Sequence, residues 1–472
     1  MKNFNLLHDV VKDVDFFRNK SDMDKFYVEF TNCNGKKEFT SLTSEKFKGF
    51  LFSRSIELSD GEESLNPNDA INAILHSLSY NQNYQHIDVY VRTAGTLRSG
   101  IEYDLQSADL KSVKITSNDW QLSEKKKKFV AGRNSLPQVT PIHTCKTPLD
   151  TLRPYVNLSG DAYLLFVIWI VQAFSRGNHP ILLIVADKGS GKSTLSKMIK
   201  KIIDPANFDV TTISDNKDDL RVLLNGSLVC CLDNASEITN AVSDLFCGAV
   251  TGTTMIKRSL YTNDDISVST LHNILVINGI GVLPKRNDLA ERMLILNLQK
   301  LSADRLKLET DLWESFENDL PMILGSIFST LSKAMLEIQA MKAKKLHRMA
   351  DSFFEMIAIA KALDISEEEF RRIYDKNKNE LEQARAGSPL VTAVKEYMSE
   401  IPGRDVTDRV SVVYKEIYEK FSGDKTLLPG SAAYFSRALD KEHENLLNAG
   451  FRVNLDDTGA AGTIVKIIKK KK

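Results

Sequence analysis

The clearest alternation of apolar and polar positions lies between residues 160 and 300. Ala162–Phe174 is apolar on every side, which predicts a helix buried all round. Pro180 introduces Ile181-Leu182-Leu183-Ile184-Val185, a short unbroken apolar run typical of a strand covered on both faces. Similar runs return at Leu228–Leu232, Ile274–Ile277 and Met293–Leu298, with helical segments between them. Strands alternating with helices predict an α/β core over residues 150–300, a parallel sheet with flanking helices.

The flanks read differently. Residues 1–140 mix short alternating stretches with turn residues and predict an α+β region whose role the pattern does not define. Within it, Asp69–Leu78 reads as a helix, and Ile87–Val91 with Ile101–Leu105 read as strands around a Gly95/Gly100 turn. Three prolines and few apolar residues mark Ser135–Pro148 as a linker. Residues 301–386 are helical and charged. In 388–472, Ser388 caps a helix with Pro389 in its first turn, and Pro429-Gly430-Ser431 precedes a helical pattern reaching Asn448. Phe435, Leu439, Glu442 and Leu446 fall at helical spacing. Gly450 ends that helix, and Phe451–Leu455 and Thr463–Ile468 then flank the turn Asp456-Asp457-Thr458-Gly459. Helices followed by a two-stranded hairpin predict a winged-helix-like domain, finished by the basic tail Lys469–Lys472.

Composition narrows the classes. The 472 residues are 42% hydrophobic and 26% charged, which excludes a disordered or fibrous chain. Lys+Arg and Asp+Glu both number 62, so any nucleic-acid partner must be held by local patches rather than by bulk charge. The odd set Cys33, Cys145, Cys230, Cys231 and Cys247 has no metal spacing and fits a reducing cytoplasm. Asp9, Asp13 and Asp15 near the start argue against a targeting peptide, and Ala162–Val171 is about half the length a membrane helix needs. The expectation is a cytoplasmic protein with no membrane partner.

The strongest chemical signal follows the first buried strand. In Ala186-Asp187-Lys188-Gly189-Ser190-Gly191-Lys192-Ser193-Thr194, the glycines let the backbone wrap so that its N–H groups point at phosphate oxygens. The helix opening near Lys192 adds its positive end; Lys192 would reach the β- and γ-phosphates, and the Ser193 hydroxyl would hold Mg²⁺. Ala186 stands where this pattern usually has its first glycine. The expected ligand is ATP with Mg²⁺. Leu228–Leu232 leads into Asp233, placed to meet the metal as a Walker B carboxylate does. The next residue, Asn234, cannot accept a proton, and Glu237 lies close by in sequence. Asn278 closes the third strand, where an amide could orient the attacking water. Arg292, just before the fourth strand, could project to a neighbour's γ-phosphate.

This order of motifs resembles the AAA+ ATPases of phages and mobile elements. Walker A at 186–194 and Walker B at 228–234 are followed by Thr251-Gly252-Thr253-Thr254, Lys257-Arg258-Ser259-Leu260-Tyr261, the Asn278 strand and Asp288-Leu289-Ala290-Glu291-Arg292. It is similar to superfamily 3 helicases, to the helicase half of poxvirus-type primase–helicases, and to self-loading helicases of staphylococcal cassette elements. The resemblance implies a hexameric ring with ATP between subunits and single-stranded or forked DNA in the pore. It implies that Asn278 is the sensor and Arg292 the finger acting in trans. The segment between Walker B and Asn278 would form a pore hairpin; its turn, Thr262-Asn263-Asp264-Asp265, is acidic, so Lys257 and Arg258 beside it are the candidate phosphate contacts. In the last domain, Arg437 and Lys441 share a helix face, and Arg452 and Lys466 lie on the hairpin, as further candidate DNA contacts. The expected function is an oligomeric ATP-dependent DNA helicase or translocase. The alternative, motivated by Asn234, is an ATP-dependent switch or loader, including a phage-defence ATPase, that binds DNA or a protein without unwinding.

Overall fold

The computed structural model describes residues 2–469 apart from 23, 133, 187–188, 214–215, 236–237, 253, 259–265, 280–283, 285, 300–307, 342–348, 387–388, 402, 404, 423–424, 426–427 and 458–462. The chain forms two compact units, Met1–Val282 with Glu291–Tyr374, and Leu283–Ala290 with Asp375–Lys472. The first begins with α1 (Lys2–Val10), β1 (Asp15–Asn19), β2 (Phe26–Thr31), β3 (Lys37–Ser41), α2 (Glu45–Leu58), α3 (Pro67–Asn81) and β4 (Gln85–Ile87). Ser44 caps α2 by accepting from Phe47 N; Asn66 caps α3, with Pro67 following in the first turn. The strands pair in the order β3-β2-β1-β4, and Val28 and Phe30 bury against Phe47, Leu51, Ile74 and Leu78 of the helices.

Next come β5 (Val89–Tyr90), the meander β6 (Thr93–Thr96), β7 (Gly100–Asp104), β8 (Lys111–Ile115), β9 (Trp120–Glu124), and β10 (Lys128–Phe129). Strands are present in both Ile87–Val91 and Ile101–Leu105, but in different sheets: β4 pairs in parallel with β1 and β5 with β10, and β7 takes 93–96 as its hairpin partner. The meander does not share the core of the preceding layer. Ile101, Tyr103, Val113 and Trp120 pack into the same core as Phe174 and Phe328, so the expected region 1–140 divides between two cores.

The expected linker Ser135–Pro148 is a strap held by hydrogen bonds. Leu136 N donates to Pro205 O, Gln138 N to Leu105 O and Ile142 N to Pro321 O. Gln138 is buried, and His143 stacks on Trp120 with ring centroids 3.8 Å apart. The prolines exclude helix and sheet ladder but not packing, which is why composition alone misreads this stretch.

Then follow α4 (Pro148–Thr151), α5 (Gly160–Gln172), β11 (Ile181–Val185), α6 (Lys192–Ile203), β12 (Thr211–Thr212), α7 (Lys217–Gly226), β13 (Val229–Ala235), α8 (Asn240–Thr251), β14 (Thr254–Arg258), β15 (Ile266–Thr270), β16 (Ile274–Gly279), α9 (Asn287–Ala290) and β17 (Met293–Asn297). The predicted parallel sheet is present, five strands in the order β12-β13-β16-β11-β17. The central strands β11 and β16 are buried along almost their whole length because both faces are covered, and they are apolar up to Asn278. In the buried helix α5, Trp169 Nε1 donates to Pro180 O at 2.8 Å. The helices α10 (Glu309–Ala340), α11 (Ala350–Ala362) and α12 (Glu367–Ala386) follow, and the chain passes from the first unit to the second within α12.

The second unit continues with α13 (Pro389–Glu400), β18 (Asp405–Arg409), α14 (Val410–Lys420), α15 (Ala432–Lys441), α16 (His443–Asn448), β19 (Phe451–Asp457) and β20 (Thr463–Lys469). The hairpin is part of a three-stranded antiparallel sheet, β18-β20-β19. The single helix expected up to Asn448 is two, broken at Glu442, which ends α15 and opens α16. Ser388 lies outside the described residues. Among the described residues, no helix is long and apolar enough to cross a membrane.

Candidate nucleotide site

The loop between β11 and α6 is built on two glycines with positive φ, Gly189 at 77° and Gly191 at 81°. A Cβ on Gly189 would meet nothing within 4 Å, so backbone conformation rather than space demands glycine there. Gly191 is the residue preceding α6, and Leu195 N returns to its carbonyl at 2.9 Å. Lys192, in the first turn, is buried, and its Nζ donates to Ala186 O at 2.7 Å, closing the loop across its mouth. Ser190 Oγ is buried with no hydrogen-bond partner among the described residues. A buried hydroxyl without a partner is destabilising unless something fills its place, which fits a site for an oxygen-rich ligand. Ser193 and Thr194 are half-buried; Asp187 and Lys188 lie outside the described residues.

Asp233 is buried on β13. Leu232 pairs with Ile277 and Ala235 with Gly279, so Asp233 and Asn234 together face the single residue Asn278 across an irregularity. Such an insertion bends a strand and re-aims its side chains. Asp233 therefore sits inside the strand at a bulge rather than at its end. The side chain of Asn234, and all of Glu237, lie outside the described residues. Asn278 is fully buried, and its Nδ2 donates to Ser196 Oγ at 2.9 Å. In register, Ile184 pairs with Asn278 and Val185 with Gly279. The loop, Asn278 and Asp233 at its bulge thus lie in the carboxyl-terminal halves of three adjacent strands or just beyond them, the side on which ligands of open parallel sheets bind.

Arg292 is not brought to that group. Its carbonyl accepts from Ile181 N at 2.8 Å, at the amino end of the strand whose carboxyl end carries the loop. The pairing runs from Ile181 with Met293 to Val185 with Asn297. Four residue steps separate the ends by about 13 Å.

Sequence periodicity misses what anchors α6. Lys192, Ser196 and Lys200 lie four residues apart and are all buried, a polar stripe on one helix face. Lys200 Nζ donates to Asp204 Oδ2 at 2.9 Å and to Val229 O at 2.8 Å. Asp204 Oδ1 accepts from Arg92 Nε at 3.1 Å, and Arg92 also donates to Pro205 O and to Leu136 O. Burial would raise the Asp204 carboxyl pKa, but Lys200 and Arg92, with bonds from Lys200 and Val229 N, outweigh it and hold it below the ordinary value. The signal in the sequence was a lysine at an apolar position of α6.

Ser193 and Asp233 offer one hydroxyl and one carboxylate, and among the described residues no three His, Cys, Asp or Glu side chains converge. Few hard oxygen donors suit Mg²⁺ carried mainly on phosphates better than a protein cage would.

Of the candidate DNA contacts, Lys257 and Arg258 lie on β14 of a hairpin with β15, and their side chains are outside the described residues. Arg437 and Lys441 are exposed on α15, with the Arg437 guanidinium 5.8 Å from the Tyr434 ring centroid. Arg452 is exposed on β19; Lys466, half-buried on β20, has its Nζ 4.0 Å from Asp405. Asn454 pairs with Lys466, which puts Arg452 and Lys466 on one face of the sheet.

Residues 149–375 match the family model of the actinomycete integrative conjugative element replication protein. No curated protein matches the chain. Among solved structures, the A-form apo structure of the NrS-1 C-terminal region is similar with a TM-score of 0.42 and 12% identity, covering 98% of this chain and 99% of that one. A second structure of that region, spanning its residues 305–718, gives a TM-score of 0.41 and 12% identity, with 98% of each chain covered. The segment carrying the loop, Asp233 and Asn278 is therefore similar to a replication protein of a mobile element.

Proposed function

We propose that this chain is an AAA+ ATPase acting as an oligomeric, ATP-driven DNA helicase or translocase in mobile-element replication. The observation that carries the reading is the loop between β11 and α6, with its two positive-φ glycines, buried Lys192 and unpartnered Ser190 hydroxyl. The likeness of residues 149–375 to a replication family supports the biological setting.

In this reading, Lys192 leaves Ala186 O for the β- and γ-phosphates, and backbone N–H groups of the loop and of the first turn of α6 cradle the phosphate oxygens. Ser193 and Asp233 would hold Mg²⁺, which when bound neutralises charge on the triphosphate. Asn278 orients the attacking water. Arg292, a strand's length from its own loop, serves the site of a neighbouring subunit, which makes the ring, expected to be hexameric, part of the reaction centre. In the second unit, helix–strand–helix–helix–helix–hairpin order supports a winged-helix-like domain that presents Arg437 and Lys441, with Arg452 and Lys466 on its sheet, to DNA. Lys257 and Arg258 of the hairpin contact the threaded strand.

The test is strand displacement on a forked duplex by the full chain with ATP and Mg²⁺. Unwinding that requires ATP supports the reading. ATP binding with no strand separation favours the switch or loader, the alternative to which Asn234 points because the residue directly after Asp233 is an amide rather than a carboxylate.

A further inference from the structure

Ser196 stands between three elements of the candidate site. It is fully buried on α6, one turn beyond Lys192 and on the same face. Its Oγ accepts from Asn278 Nδ2 at 2.9 Å, which ties the helix to β16. Its backbone oxygen accepts from Cys231 Sγ at 3.4 Å, which ties the helix to the strand that carries Asp233. Burial pushes the Cys231 thiol up, so it stays a neutral donor.

A carboxamide has a donor end and an acceptor end, and turning it over exchanges them. A side chain expected to orient a water must therefore be held in one of its two settings. We propose that Ser196 is a positioning residue for Asn278: by engaging Nδ2 its hydroxyl holds the side-chain torsion of the amide where β16 meets the phosphate-loop helix. The hydroxyl lies on the phosphate-loop helix, so this setting is coupled to the helix that begins with Lys192. The inference rests on the reading of Asn278 as the water-orienting residue.

The test is steady-state ATP hydrolysis by full-length wild type, Ser196→Ala, Asn278→Ala and the double variant, each with its melting temperature. Ser196→Ala is expected to lower kcat about tenfold, the rate equivalent of one buried hydrogen bond, with KM changed by less than about twofold. In the Asn278→Ala background, Ser196→Ala should lower kcat no further, because the serine acts only through that amide. If Ser196→Ala melts well below wild type, Ser196→Cys, similar in volume but a poor acceptor, takes its place and should show the same loss. An unchanged kcat in these variants overturns the inference, as does a loss of equal size with and without Asn278. Absence of hydrolysis in the wild type overturns the ATPase reading itself and the inference with it, so the two failures are told apart by the wild-type rate.

Discussion

Removing the carboxylate of Asp204, the residue that follows α6, should destabilise the first unit. Oδ1 accepts from Arg92 Nε at 3.1 Å, and Oδ2 accepts from Lys200 Nζ at 2.9 Å, Leu228 N at 3.0 Å and Val229 N at 3.2 Å. Arg92 and Lys200 are both fully buried. Asp204→Ala leaves two buried cations and two backbone N–H groups short of an acceptor. Breaking a buried pair from one side costs about 3–5 kcal/mol. At about 2 °C per kcal/mol for a large domain, the melting temperature at pH 7 should fall by about 6 °C or more. The pH dependence follows from the sign of the shift. The carboxyl is held below its ordinary value of 3.8, so its contribution is full above that value and is lost as pH falls through the depressed native one. Thermal melts of wild type and Asp204→Ala, followed by circular dichroism, should therefore differ by a constant gap between pH 7 and pH 5. The gap should close only below about pH 4. A gap under about 1 °C at pH 7 would refute the assignment of these bonds, and so would one that narrows already by pH 5.

Two further variants test the strap and the subunit arrangement. A Cβ on Gly325 would lie 1.8 Å from Ile142 O, so Gly325→Ala must lift the strap from α10 and should destabilise by about 1–3 kcal/mol. Limited proteolysis should then cut within residues 136–147 faster than in wild type; an unchanged pattern would remove the close approach. Arg292→Ala should keep its ATP affinity within about twofold and lose about 10³-fold in hydrolysis, as expected of a finger residue. Mixing it with Lys192→Ala should restore turnover, because one variant keeps the loop and the other the arginine. Failure of the mixture to recover activity would argue against action across subunits.

What the sequence discloses here is local. The run Ile181–Val185, the glycines at 189 and 191 and the helix from Lys192 to Ile203 are neighbours in the chain, and short-range periodicity and turn chemistry specify them. The strand order is not local: β11 takes β16 and β17 as partners from about ninety residues or more away, and no period announces such pairing. The bulge at Asp233 escapes for the same reason, because it exists only relative to β16. The strap 135–148 reads as a linker because its prolines exclude regular structure, while its buried Gln138 holds carbonyls of Lys201 and Ile202 that only the folded chain brings near. Ser196 and Lys200 look like ordinary helix polarity until α6 is laid on the sheet. Only then does the stripe of Lys192, Ser196 and Lys200 become a buried face. The break at Glu442 is a near miss: the sequence marks it as the one polar member of an apolar stripe, and the structure makes it the junction of α15 and α16.

Whether the bend between β11 and α6 grips a triphosphate can be measured by titration calorimetry of ATP with Mg²⁺ into the full chain and into Lys192→Ala. The geometry predicts saturable uptake by the wild type and at least about tenfold weaker binding by the variant, which loses a charge-assisted contact of about 1.5–3 kcal/mol. In the absence of nucleotide the variant should stay folded and melt within about 3 °C of wild type, having lost the one bond from Lys192 Nζ to Ala186 O. No binding heat from folded wild type, or equal affinity in the two proteins, would contradict the nucleotide site and the helicase reading built on it.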